Sequence, residues 1–160
     1  MLKLFFIFFL FFATANALEV KCDFEEVYKN GEVQQGFFLI KNNNLRYEYL
    51  DKALFKIFYL QNEIYVVENK NTKKINKIDK NNIIIGHLME VSSNFPNIEE
   101  QYNFDNVQID IEKNITNNFI KRISFKSNKL NMSLYPINCK FLPINNLFFK
   151  IQPVVFEYNY

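Results

Sequence analysis

The sequence is poor in the residue types on which catalytic and metal-binding sites usually depend. Its 160 residues include one histidine, two cysteines and three glycines. The cysteines lack the C-x-x-C spacing of redox and metal sites, and the chain has no glycine-rich phosphate loop. No Ser/His/Asp or Cys/His arrangement can be assembled around His87, the single histidine. We therefore expect a protein that is not an enzyme and that needs no cofactor or metal.

The chain also lacks a strong charge of either sign. It has 19 lysines and arginines against 17 aspartates and glutamates, a net charge of +2. A nucleic-acid-binding protein would carry a larger basic excess, so that class is excluded. Lysines are frequent in residues 70–80, which could attract an acidic partner. Lysines are also usual on solvated hairpins and edge strands, and we favour that reading.

Residues 1–17 have the pattern of a cleaved signal peptide. Lys3 precedes the apolar residues 4–12, and Ala15 and Ala17 supply small residues before the cleavage point. The apolar part is shorter than the roughly 20 residues that a membrane-spanning helix needs. We expect export, cleavage before Leu18, and a single domain formed by residues 18–160. An uncleaved N-terminal anchor is the alternative.

The two cysteines, Cys22 and Cys139, lie near opposite ends of the expected mature chain. In an oxidising compartment an even pair usually forms a disulfide, which here would tie the first strand to the C-terminal region. A lipid on Cys22 is disfavoured because the charged residues Glu19 and Lys21 precede it.

Short apolar and aromatic runs dominate the rest of the chain, and residues 36–68 show this best. Four such runs lie there between Asn-rich or charged breaks, which predicts an antiparallel meander. Asn30-Gly31, just before it, is a strong hairpin signal. Residues 37–40 are apolar on both faces of their predicted strand, which indicates either a covered second face or a partner surface.

The remaining chain predicts more sheet and one helix. Ile84, Leu88 and Val91 recur at helical spacing and predict a helix over residues 81–94, with a strand at residues 83–85 as the alternative. Pro136 is expected to end a strand, and residues 139–143 to form a loop. The other predicted strands cover residues 22–29, 73–78, 101–104, 107–112, 120–127, 130–135 and 147–151. The fold class is mostly β: a strongly curved antiparallel sheet or unclosed β-barrel with one or two short helices.

The pattern of residues 36–78 resembles the core of the periplasmic outer-membrane lipoprotein carrier (LolA-like) family. Gly36, the R-Y-E-Y run of residues 46–49 and the I-Y-V-V run of residues 64–67 correspond to the glycine and to the R-W/Y-x-Y and L-W-x-Y strands of that family. Residues 147–153 resemble its closing F-x-F-x-P strand. Family members usually begin with an amphipathic helix, and here only residues 18–21 precede the first predicted strand. We therefore expect that helix to be absent.

The resemblance implies a monomeric periplasmic carrier whose apolar cavity holds lipoprotein acyl chains beneath a helical lid. Such a carrier receives cargo from an inner-membrane release complex and delivers it to an outer-membrane receptor. Residues 82–91 are the remaining lid candidate, and Arg46, with Lys41 as an approximate counterpart, is expected to contact the lid. The expected lipid-binding residues share the inward parity of their strands: Phe38, Ile40, Tyr47, Tyr49, Ile57, Tyr59, Ile64, Val66, Ile109, Phe125 and Leu134. The alternative is a periplasmic interaction module that binds a protein segment at a sheet edge and carries no lipid.

Overall fold

Ten strands and one α-helix make up most of the fold. The computed structural model describes residues 18–71, 74–79, 84–104, 107–128 and 130–151. The strands are β1 (Glu19–Tyr28), β2 (Val33–Lys41), β3 (Asn44–Tyr49), β4 (Phe55–Leu60), β5 (Glu63–Glu68), β6 (Ile75–Ile78), β7 (Gln101–Phe104), β8 (Val107–Lys113), β9 (Ile120–Lys126) and β10 (Asn131–Phe141). The helix α1 (Ile84–Ser93) connects β6 to β7, and a 3-10 helix (Asn146–Phe149) follows β10.

All ten strands belong to one antiparallel sheet. Their order is β6-β5-β4-β3-β2-β1-β10-β9-β8-β7, so β1 lies near the middle and pairs with both β2 and β10. In the described part of the chain β6 and β7 have one neighbour each, and the sheet is not closed. The prediction of a mostly β fold with an unclosed antiparallel sheet is confirmed.

Tight turns make the meander of β1 to β5 possible. Gly31 has a φ of 84° in the β1–β2 turn, and the Asn30 side chain accepts a hydrogen bond from the Glu32 amide at 3.0 Å. Asn62, with a φ of 69°, occupies the turn between β4 and β5. Glycine and asparagine tolerate positive φ, which explains why these short connections occur where the sequence predicts turns.

The helix packs its apolar stripe against one face of the sheet. Leu88 and Val91 are fully buried, as the helical spacing predicts. Ile84 and Ile85 belong to the helix, which decides against the alternative of a strand at these two residues. A single apolar cluster combines side chains of α1 with side chains from strands on both halves of the sheet. The sheet therefore curves around one interior. Among the described residues no helix has the length and apolarity needed to cross a membrane.

Two predictions near the C-terminus are wrong. The strand expected to end at Pro136 continues to Phe141, because β10 still pairs with β1 there while its described pairing with β9 ends at Leu134. A strand with one open side tolerates a residue without an N–H group. Residues 139–143 are accordingly not all loop.

The second correction concerns residues 147–151, which form no strand. A 3-10 turn at Asn146–Phe149 replaces it, since the Asn145 side chain accepts a hydrogen bond from the Leu147 amide at 2.9 Å. The turn places Phe149 against Leu39 on the outer face of the sheet. The predicted signal peptide, residues 1–17, lies outside the described residues.

The predicted disulfide is present between Cys22 and Cys139, whose Cα atoms are 4.1 Å apart. It joins the neighbouring strands β1 and β10 at a point where the pairing register shifts between Lys21 and Asp23. The bond links the first strand to the last one, 117 residues later in the chain.

Candidate functional site

The eleven predicted lipid-binding residues line one concave interior, which we call the inner trough. Eight of them are buried, at 5% exposure or less, and three are partly buried at its margin. The buried ones are Phe38, Ile40, Tyr47, Ile57, Ile64, Ile109, Phe125 and Leu134, and the marginal ones are Tyr49, Tyr59 and Val66. Strand parity therefore identified one continuous surface. Whether it holds lipid stays a prediction.

The helix α1 covers the inner trough. Its buried apolar side chains, Ile85, Leu88, Met89 and Val91, belong to the same cluster as the trough wall. Among the residues that the structure describes, no hydrogen bond or ion pair joins α1 to the sheet. Ser92 is 2% exposed, and its hydroxyl is buried without a hydrogen-bond partner. The cover is thus attached by apolar contacts and includes one unfavourable polar group.

A buried carboxylate lies in the wall of the trough. Glu26, 4% exposed, accepts hydrogen bonds from the hydroxyls of Tyr47 at 2.6 Å, Tyr28 at 2.7 Å and Tyr49 at 3.1 Å. Burial, together with the negative charge of Glu26, raises the pKa of all three tyrosines above its ordinary value. Three hydroxyl donors satisfy a carboxylate that would otherwise be costly to bury.

Sequence reasoning missed Glu26, although one signal was available. Strand alternation in β1 puts Glu26 on the same face as Phe24 and Tyr28, so its parity already points inward. The partner tyrosines on β3 could be recognised only after the register of β1, β2 and β3 was known.

Gly36 allows the trough wall to pack closely at its centre. The ring of Phe24 on β1 lies over this position and stacks on Tyr47, with ring centroids 4.2 Å apart. A Cβ atom at residue 36 would lie 2.4 Å from Cζ of Phe24 and 2.2 Å from the Glu48 carbonyl oxygen. A glycine is needed at position 36 because β1 and β3 both approach it too closely to admit a side chain.

His87 lies in the first turn of α1 and faces β7. Its ring stacks on Phe104 of β7 with centroids 4.3 Å apart, and burial lowers its pKa. A recess of about 630 Å³ beside it is lined by polar residues of the strand turns, including Asn43 and Asn62, and by Tyr59. In the described part of the chain no three His, Cys, Asp or Glu side chains form a group that could hold a metal.

The outer face of the sheet has a cover of its own. Residues 142–151, which we call the C-terminal strap, run across β2 and β3 and bury Ile144 and Phe149 against Leu39. The apolar second face predicted for residues 37–40 is therefore covered. Between the strap and the strands β1 and β10 remains a cavity of about 760 Å³, the outer groove.

Lys41 and Arg46 contact this strap. The Lys41 ammonium donates a hydrogen bond to the Ile144 carbonyl at 2.6 Å, and Arg46 Nη1 donates to the Phe148 carbonyl at 3.3 Å. Arg46 also pairs with Glu48 at 2.5 Å. Both cations lie on the outer face, whereas the lid candidate α1 lies on the inner face, so the cover that they contact is the strap and not the helix.

Comparisons with known proteins give a likeness of fold only. No family model matches the sequence, and no curated protein matches it. Among solved structures, the crystal structure of a LolA superfamily protein from Nitrosomonas europaea is similar, with a TM-score of 0.42 and 10% sequence identity. The alignment covers 84% of this chain and 90% of that one. At this identity the likeness concerns the course of the backbone alone.

Proposed function

We propose that the protein is a carrier that holds long acyl chains in the inner trough after α1 has moved aside. The observation that carries this proposal is the contrast between wall and cover. The wall is apolar across strands on both halves of the sheet, whereas its cover is one ten-residue helix attached without polar contacts in the described part of the chain. An apolar wall beneath a removable cover suits a ligand that is recognised by the length of its hydrocarbon chain.

The energetics restrict the ligand to long chains. Releasing four buried apolar side chains of α1 to water costs roughly 6–12 kcal/mol, at about 1.5–3 kcal/mol for each. A 16-carbon chain recovers about 12 kcal/mol on burial, at about 0.8 kcal/mol for each methylene group. A six-carbon chain recovers only about 4 kcal/mol on the same scale. Short chains therefore cannot displace the helix, and affinity should rise steeply with chain length.

The cargo and its route are the finer part of the proposal. By the family resemblance, the acyl chains belong to lipoproteins released from the inner membrane, and the destination is an outer-membrane receptor. This requires export of the chain to the periplasm. Secretion of the full-length chain in a Gram-negative host, followed by N-terminal sequencing of the periplasmic product, tests export directly. Co-purified acylated protein would support the cargo, and an unprocessed membrane-bound chain would contradict the route.

A single tryptophan makes ligand binding visible, because the natural sequence contains none. Tyr59→Trp places the reporter on β4, beside the exposed edge of α1. We expect hexadecanoate to shift its emission to the blue in a saturable way, and hexanoate to leave it unchanged. Absence of a shift with hexadecanoate would contradict the carrier.

Two neighbouring serines test whether α1 is the lid. Ser92→Ala removes the unpartnered buried hydroxyl and stabilises the closed state by about 1 kcal/mol. Since the ligand must open that state, hexadecanoate affinity should fall about fivefold. Ser93→Ala is the matched control, because Ser93 is exposed and its hydroxyl donates within the helix, to the Glu90 carbonyl at 2.7 Å. Equal affinities of the two variants would exclude α1 as the lid.

The exposed edge at β6 favours a second candidate, the interaction module. Ile75 and Ile78 are 44% and 37% exposed there, although the ion pairs Lys74–Glu68 and Lys77–Glu63 partly occupy the edge. Lysine substitution of both isoleucines should block strand addition at this edge. A protein partner lost in that variant, with hexadecanoate binding absent from the wild type, would identify the module and refute the carrier.

A further inference from the structure

The outer groove is an apolar recess on the face opposite to the inner trough. Phe37 and Leu39 of β2 form part of its lining, and the strap contributes Leu142, Pro143 and Phe148. Its volume of about 760 Å³ lies in the range of small-molecule sites. Phe148 is 51% exposed beside it, and Leu142 in its lining is 39% exposed. The recess thus combines apolar lining with an open mouth.

Two lysines of like charge face each other at this groove. Lys21 on β1 and Lys140 on β10 are direct register partners, and both line the cavity. Like charges placed directly opposite each other in a sheet are destabilising. The Lys21 ammonium lies 5.9 Å from the ring centroid of Phe37, at the border of the apolar lining.

The described surroundings neutralise this pair only in part. Asp23 also lines the groove, and its carboxylate accepts a hydrogen bond from Asn138 at 3.1 Å. Within the described part of the chain neither lysine forms an ion pair within 4.0 Å, so the two lysines and Asp23 leave one net positive charge. The third cation of the groove, Arg46, is already paired with Glu48. Two ammonium groups therefore remain available to an anion at an apolar recess.

We propose that the outer groove binds one monomeric long-chain carboxylate, with its head between Lys21 and Lys140 and its chain along Phe37, Leu39 and Phe148. The charge complementarity selects an anionic head, and the apolar lining selects a hydrocarbon tail. A recess fits a single chain, whereas the flat face of a bilayer would need a protruding apolar patch. The groove lies on the opposite face from the inner trough, so this site does not depend on the proposed carrier function.

The test uses Phe148→Trp as the reporter, with probes kept below their aggregation concentration. Dodecanoate should give a saturable blue shift, and dodecyltrimethylammonium, which has the same chain and the opposite charge, should bind at least tenfold more weakly. Lys21→Ala and Lys140→Ala should each weaken dodecanoate binding about three- to fivefold and reduce its salt dependence. Lys52→Ala, which removes an exposed lysine outside the groove, is the matched control and should bind like the parent.

Other outcomes overturn the proposal in distinguishable ways. Equal affinity of the Lys21, Lys140 and Lys52 variants would refute the anion site. A response of Tyr59→Trp to dodecanoate without a response of Phe148→Trp would put the chain in the inner trough, which removes the groove site and leaves the carrier function standing. Binding to phosphatidylglycerol vesicles but not to monomeric dodecanoate would identify a membrane surface instead. If Phe148→Trp responds to dodecanoate and the emission of Tyr59→Trp does not change with hexadecanoate, the groove site is supported and the carrier function is refuted.

Discussion

Gly36→Ala is the substitution whose cost follows most directly from the geometry of the sheet. The added methyl group would lie 2.2 Å from the Glu48 carbonyl oxygen of β3 and 2.4 Å from the Phe24 ring of β1. Because Cβ atoms do not approach other atoms within 3.0 Å, the carbonyl oxygen must retreat by about 0.8 Å. A flexible side chain could turn aside, but a carbonyl in a strand moves only if β2 and β3 separate.

The expected cost combines two effects. Overpacking of this kind usually costs about 1–3 kcal/mol. Displacement of the Phe24 ring also weakens its stack on Tyr47, which is worth roughly 0.5–1.5 kcal/mol. We expect Gly36→Ala to lower the free energy of unfolding by about 2–4 kcal/mol, a large part of the roughly 5–15 kcal/mol typical of a domain.

Gly31→Ala is the matched control, since it makes the same chemical change in the β1–β2 turn. A Cβ atom there has nothing within 4 Å, and the only penalty is its φ of 84°, worth about 1–2 kcal/mol. Guanidinium unfolding followed by circular dichroism, with the disulfide intact, measures both variants. If Gly36→Ala cost no more than Gly31→Ala, the close approach of β1 and β3 to residue 36 would be refuted.

Three further predictions concern the disulfide, the buried carboxylate and the histidine. Replacement of Cys22 and Cys139 by serine should destabilise the fold by about 4–5 kcal/mol in guanidinium unfolding, given their separation of 117 residues; a parent protein indifferent to reductant would contradict this. Because the pKa of Tyr28, Tyr47 and Tyr49 is raised in the fold, the unfolded chain loses these protons first above pH 10, and stability should fall by up to about 4 kcal/mol per pH unit. Tyr47→Phe should make that alkaline loss less steep, as measured by unfolding at a series of pH values. Burial lowers the pKa of His87 in the fold, so on acidification below pH 6.5 the unfolded chain takes up this proton first and the free energy of unfolding should fall. His87→Phe should remove this part of the pH dependence of unfolding. An unchanged pH dependence in the variant would contradict the prediction.

Strand parity predicted most of the inner trough, because alternation has a period of two and does not depend on distant contacts. The eleven lining residues share one interior for that reason. The strand predicted at residues 147–151 is wrong because a short apolar run has no period that separates a strand from a packed 3-10 turn. The Asn145 cap and the burial of Phe149 favour the 3-10 turn. The burial of Phe149 depends on a tertiary contact, which the local sequence does not reveal.

The position of Glu26 could be predicted, but its role could not. Its parity already placed a charge among apolar neighbours, which is a conflict between local pattern and fold. Resolving that conflict required three hydroxyls brought from β1 and β3, and the strand register alone determines which tyrosines can reach it. The pairing of Lys21 with Lys140 could not be predicted from the sequence either, because it depends on the register of β1 and β10, which shifts between Lys21 and Asp23.

The two apolar faces of the sheet differ in how their covers are attached, and this difference indicates which cover can move. The strap is fixed by hydrogen bonds of directional character: Lys41 donates to the Ile144 carbonyl, and the Ile144 amide donates to Glu19 at 2.7 Å. An apolar ligand in its place would leave the Lys41 ammonium and the Glu19 carboxylate without these partners. In the described part of the chain α1 has no such bond to the sheet, and the Ser92 hydroxyl would gain water on opening. An apolar ligand can replace apolar contacts but not hydrogen bonds, so the helix is the cover that such a ligand can displace.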